Sequence, residues 1–218
     1  EIHVRTMLKK LNRDGAVISV SGGLDSAVAA TLTVRSLGDQ RVHLLNMPER
    51  DSKPVHKKHA KLLADQLGAP LTIKNITPIV SASGAYRLLP LGYIPSQWIR
   101  KKIVSFGKTK YLDGNQDNIL ANRLHPEPGT WVAKGNAYAV AKHRIRLVMV
   151  YQFAELNNLM VVGAANRTEW LSGTFSKWGI DHCADIMPLM HLFRSQLERV
   201  ADYIQVPAPI RNKRDDPD

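Results

Sequence analysis

The chain has 218 residues, 44% of them hydrophobic, enough to bury the core of one domain or of one domain with an elaboration. Its 30 Lys and Arg against 19 Asp and Glu give a net charge of +11, which suits anionic ligands without choosing between nucleotide and nucleic acid. No apolar run approaches the roughly 20 residues of a membrane span, and a single cysteine excludes an internal disulfide framework, as fits a cytoplasmic protein.

Residues 1–12 read as a short amphipathic helix with Ile2, Met7, Leu8 and Leu11 inward. Asp14-Gly15 turns into an apolar, β-branched strand, residues 16–20, and Ser21-Gly22-Gly23-Leu24-Asp25-Ser26 opens a helix to about Leu37. Residues 41–47 form a second strand, stopped by Pro48. Residues 54–67 form a helix with Pro54 in its first turn and Gly68 just past its end. Residues 71–76 make a third strand, and the alternation predicts βαβ units around a buried parallel sheet. Periodicity then fails over residues 84–134, which hold four prolines and scattered bases such as Arg100, Lys101 and Lys110; this stretch reads as an inserted subdomain or lid. A helix over 136–156 and a strand over 159–163 follow. Residues 164–184 are polar, residues 185–189 form a short buried edge, and a last helix over 194–204 is broken by residues 207–210.

The turn at residues 21–26 carries the chemistry. A strand, two glycines and a helix start make an anion cradle, because the backbone can approach closely and the first helical N–H groups point at bound oxygens. Ser21 and Ser26 add hydroxyls, and Asp25 can hold the magnesium that accompanies a polyphosphate. No lysine follows the glycines, so this is not a Walker P-loop. The string resembles the SGGxDS signature of the PP-loop ATP pyrophosphatases, which split ATP between its α and β phosphates.

Three further motifs sharpen the resemblance. Gly135-Asn136 with Lys142-His143-Arg144-Ile145-Arg146, Val161-Val162-Gly163-Ala164-Ala165-Asn166-Arg167-Thr168-Glu169, and Phe175-Ser176-Lys177-Trp178-Gly179 followed by Ala184-Asp185-Ile186 stand in one order. Together they are similar to the ammonia-dependent NAD synthetases over about residues 14–82 and 135–210. The resemblance implies a doubly wound, Rossmann-like α/β sheet of the adenine nucleotide α-hydrolase kind, flanked by helices, as one domain over residues 1–218. Ser21, Gly22, Gly23, Ser26, Ala164 and Arg194 would bind ATP, and Asp25 and Glu169 would hold Mg2+. Arg144, Lys177 and Asp185 would contact the anionic carboxylate substrate, with Asp25, Glu169, Lys177 and Asp185 as the catalytic set. Ala164 replaces a threonine of the family, and the loop from Gly179 to Asp185 is one residue longer than the family's.

The implied reaction adenylates the carboxylate of deamido-NAD, releases pyrophosphate, and lets ammonia form the amide with loss of AMP. The related family also pairs through the 136–156 helix, which implies a homodimer. Four of these residues have a plainer reading: Arg144 a solvated helix charge, Lys177 ordinary surface, Glu169 a helix cap, Asp185 a partner for backbone donors in a buried turn. Two other functions stay open. A PP-loop sulfurtransferase is motivated by Cys183 beside His182, and a tRNA-modifying version would use the basic stretch 98–111; a non-catalytic nucleotide-binding module would need only the cradle.

Overall fold

The structure, a computed structural model, describes residues 1–88 and 126–212. The chain divides into two compact units, residues 1–76 with 143–218, and residues 77–142. Most of the expected insertion, and the basic stretch 98–111, fall outside the described residues.

In the first unit, α1 (Ile2–Lys10) leads into β1 (Gly15–Ser19) and α2 (Leu24–Leu37). Next come β2 (Val42–Asn46), α3 (Pro54–Leu67) and β3 (Leu71–Ile73). The second unit holds α4 (Thr77–Ala82) and the start of α5 (Trp131–Leu156), which ends in the first unit. The first unit then continues with β4 (Leu159–Val162), the short helices α6 (Arg167–Ser172) and α7 (Ile180–Cys183), and finally α8 (Arg194–Tyr203) and α9 (Ala208–Arg211).

The four strands are all parallel, in the order β3-β2-β1-β4. Ala16 aligns with Val42 on one side and Met160 on the other, so β1 lies between partners far apart in sequence. Burial on both faces explains the apolar run: residues 15–18 are all buried, and Ile18, Leu44 and Met160 are fully enclosed. Gly15 is dictated by packing, since a Cβ there would stand 2.4 Å from the Arg41 carbonyl. Between β1 and β4 the strand order reverses, and in open α/β sheets the crevice at such a point is where ligands bind.

Several boundaries differ from the sequence expectation. In α1 the inward row is Val4 and Leu8, one turn apart, while Ile2 is 76% exposed and Leu11 is exposed. A nine-residue helix lying on α2 buries one i,i+4 row only. α5 begins five residues before the expected start, and β3 ends at Ile73. Residues 164–184, read as polar, contain α6 and α7, both too short to show a period. The expected edge at 185–189 is a single parallel bridge from Val162 to Ile186, with Ile186 and Leu189 buried.

This burial pattern sets a stability test. Ile18→Ala should cost about 2–5 kcal/mol, while Ile2→Ala should stay within about 0.5 kcal/mol. Urea midpoints of the two variants measure the contrast, and equal losses would place α1 differently.

Candidate active site

The loop after β1 is pressed against the first turn of α3. Gly22 has φ +83°, and a Cβ there would stand 2.5 Å from the His56 carbonyl and 2.8 Å from its Cα. Only glycine meets both demands. Gly23, the N-cap of α2, has an ordinary extended backbone, and a Cβ there would touch only Ser21 Oγ at 3.3 Å. Of the pair, Gly22 is the obligatory one.

Hydroxyls knit the cradle. Ser26 Oγ donates to the Gly23 carbonyl (3.1 Å) and accepts from the Ser21 amide (3.2 Å). Ser21 Oγ meets Ser26 Oγ at 3.2 Å and accepts from the Gly23 amide at 3.2 Å. From outside the motif, Asn46 Nδ2 donates to the Val20 carbonyl (2.7 Å). His56 Nδ1 and His59 Nδ1 lie 3.1 and 3.2 Å from the Ser21 and Gly22 carbonyls. A carbonyl only accepts, so both rings carry a proton on Nδ1. Asn46, His56 and His59 are all buried.

Arg194, the first residue of α8, sends Nη1 to both Asp25 oxygens (3.1 and 3.3 Å) and Nε to Glu198. Its amide donates to Thr168 Oγ1 (3.0 Å), which ties α8 to the helix that carries Glu169. Glu169 closes a capping box on α6: its Oε2 accepts from the Asn166 amide (3.1 Å), and Asn166 Oδ1 accepts from the Glu169 amide (3.0 Å). The cradle, Asp25 and Arg194 are thus joined directly, with α6 one bond away. Ala164 leaves the carboxyl end of β4, partly buried against the core.

The remaining expected site residues have other surroundings. Both Asp185 oxygens carry protein donors, Oδ2 from the Val161 amide (2.8 Å) and Oδ1 from the Tyr151 hydroxyl (2.9 Å). Burial, reinforced by that bond, pushes the Tyr151 hydroxyl well above its ordinary pKa. Lys177 is exposed, its ammonium 5.6 Å over the Trp178 ring, and Arg144 is exposed on α5. Arg146, two residues on, donates from Nε to the Met47 carbonyl just beyond β2. His182 stacks with Trp170 and Phe175, and Cys183 Sγ lies 3.7 Å from His182 Nδ1.

The sequence did not point to Asn46, His56, His59 or Asp181. The three-residue spacing of the two histidines on α3 was the available signal, masked by Lys53, Lys57, Lys58 and Lys61 around it. Asp181 is held above its ordinary pKa, first by burial and then by the charge of Asp25, against a stabilising bond from the Ser176 backbone. A carboxyl raised on folding contributes stability below its ordinary value of 3.8, and that contribution is lost as pH rises through the folded value. Asp181→Asn, which keeps an acceptor for Ser176, should therefore be more stable than the parent at neutral pH and equal to it in acid. Thermal melts at a series of pH values check this.

A family profile described as NAD synthase matches residues 1–89 and 110–217. The chain is 39% identical to the NH(3)-dependent NAD(+) synthetase of Thermotoga neapolitana, over 99% of this chain and 72% of that one. To the enzyme of the same name from Thermotoga maritima it is 38% identical, over 99% and 75%. Among solved structures it is similar to an NMN synthetase from Francisella tularensis, at a TM-score of 0.65 and 26% identity, over 97% of this chain and 73% of that one. An NH3-dependent NAD synthetase from Campylobacter jejuni, 24% identical, shares the fold at a TM-score of 0.69, over 97% and 73%. With its cradle at the β1–β4 crevice and a match along nearly all its length, this chain belongs to the NAD synthase family.

Proposed function

We propose that this chain is an ATP-dependent carbon–nitrogen ligase that converts deamido-NAD to NAD with ammonia. The observation that carries the reading is the Asp25–Arg194 pair at the mouth of the Ser21–Ser26 cradle, at the carboxyl end of the central strand. A carboxylate oxygen of the substrate attacks the α-phosphorus of ATP, the α–β bridge breaks, and pyrophosphate leaves. The nitrogen lone pair of ammonia then attacks the acyl carbon, AMP departs with the bonding electrons, and one ammonia proton passes to solvent.

The protein's part is to hold the polyphosphate in line and balance its charge. Amides at the start of α2 and the Ser21 and Ser26 hydroxyls face the phosphates, and the Arg194 guanidinium can exchange Asp25 for a phosphate oxygen. Magnesium fits the oxygen-only donors here, since it takes one or two carboxylates plus phosphate oxygens. Asp25 would hold it, with Glu169 as second carboxylate; when bound, the ion neutralises charge on the polyphosphate. Lys177 is proposed for the substrate side with Arg144, both exposed and cationic, while Asp185 acts by fixing the strand edge beside Tyr151.

Sulfur transfer has no support among the relatives, whose names are those of NAD synthetases. A cytoplasmic location is part of this proposal, and the single cysteine suits it. Among the described residues no helix is long and apolar enough to cross a membrane. A homodimer through α5 is supported by Val148 and Leu156, 66% and 79% exposed on a helix that already buries Met149, Val150 and Ala154.

Incubation with ATP, magnesium and deamido-NAD should yield AMP and NAD only when ammonium is present, with pyrophosphate released without ammonium no more than once per site; nicotinate mononucleotide is the control acid. Asp25→Asn should slow pyrophosphate release by at least about a hundredfold while leaving the fold intact. Unchanged release would place the metal and the arginine elsewhere. Light scattering at micromolar concentration should give twice the chain mass, and a monomer would remove the α5 interface.

A further inference from the structure

We propose that His56 and His59 are positioning residues of the phosphate cradle, setting which way its peptide groups face. The proposal rests on the reading of residues 21–26 as the ATP site.

Four successive carbonyls in this loop each accept from a side chain: Val20 from Asn46, Ser21 from His56, Gly22 from His59 and Gly23 from Ser26. In a trans peptide the N–H points opposite to the C=O of the same unit. Holding the Ser21 and Gly22 carbonyls on α3 therefore turns the Gly22 and Gly23 amides to the far side. Ser21 Oγ marks that side, since the Gly23 amide meets it at 3.2 Å. There the amides join those at the start of α2, which have no partner within the helix.

The conformation is not one the loop holds unaided. Gly22 sits at φ +83° and both glycines have wide backbone freedom, so a peptide flip within this segment needs little rearrangement. A flip would present a carbonyl to the incoming phosphate in place of an N–H. The two rings prevent it from a rigid base, because α3 is a 14-residue helix whose backbone already touches Gly22. Both rings are buried, so water competes poorly for their protons.

The test separates donor geometry from bulk. His56→Leu and His59→Leu remove the donor; His56→Asn and His59→Asn place an amide N–H near the position of Nδ1. Calorimetric ATP affinity should fall about tenfold in each Leu variant, roughly one hydrogen bond, and return to within about threefold in the Asn variants. The KM for deamido-NAD should move less than about twofold, because Arg144 and Lys177, proposed for the second substrate, lie outside this loop. Folded Leu variants that bind ATP like the parent would overturn the proposal, as would Asn variants no better than Leu. If the Leu variants do not fold, nitrogen-15 histidine spectra of the unaltered protein decide: Nδ1–H tautomers at both rings uphold the clamp, and an Nε2–H tautomer at either overturns it. A parent that binds ATP but forms no amide would remove the ligase reading and leave the clamp standing on the affinities.

Discussion

The contact between Gly22 and the backbone of His56 is the constraint on which the site depends. The His56 carbonyl stands 2.5 Å from the place a Cβ would take, so only a glycine lets the loop after β1 lie this close to α3. That approach brings the Ser21 and Gly22 carbonyls within reach of buried imidazoles and leaves the other face of the loop open. α3 owes its own place to apolar positions such as Ala60 and Leu63 in the core. The surface proposed for phosphate is therefore a product of helix-on-sheet packing as much as of the motif. Its sequence signature names the flexible part, and the rigid part comes from elsewhere.

Charge is arranged with the same dependence on neighbours. Asp25 is about one fifth exposed and would be costly without a partner; Arg194 supplies one through a fixed fork and is itself braced by Glu198 and Thr168. Asp181 meets the same field from the other direction and remains more readily protonated than an ordinary carboxyl. One arginine and one raised carboxyl thus let two acids share a crowded corner without full repulsion. The excess of basic residues suits the polyanionic ligands proposed for this site.

Much of this was legible from the residues. The strand, glycine turn and helix around residues 16–37 announced themselves through an abrupt change of period, and α3 runs from Pro54 to Leu67 as its proline and glycine punctuation required. That Ser21 and Ser26 would share one turn followed from the motif, and their hydroxyls meet at 3.2 Å. What could not be read was which neighbour each group would meet. Nothing local distinguishes His56 from a surface histidine among lysines, or tells Ile2 from Leu8 on a helix of nine residues. Asp185 shows the limit most clearly. A family position reads as a ligand, yet its two oxygens hold a strand amide and the hydroxyl of Tyr151, a partner 34 residues earlier.

The central place of β1 has a consequence for the order in which the molecule comes together. Its pairing with β2, and the links from Asn46, His56 and His59, lie within the first sixty residues of the chain. Its pairing with β4 joins Ala16 to Met160, across a span whose closure is slow. During synthesis at about 5–20 residues per second, the clamped loop is complete several seconds before β4 and Arg194 leave the ribosome. Through that interval the β4-facing edge of β1 presents unpaired N–H and C=O groups between the apolar side chains of Ala16, Val17 and Ile18, the kind of edge that recruits a second chain. The half that carries the glycine turn is made first, and it stays adhesive until the half that completes it arrives.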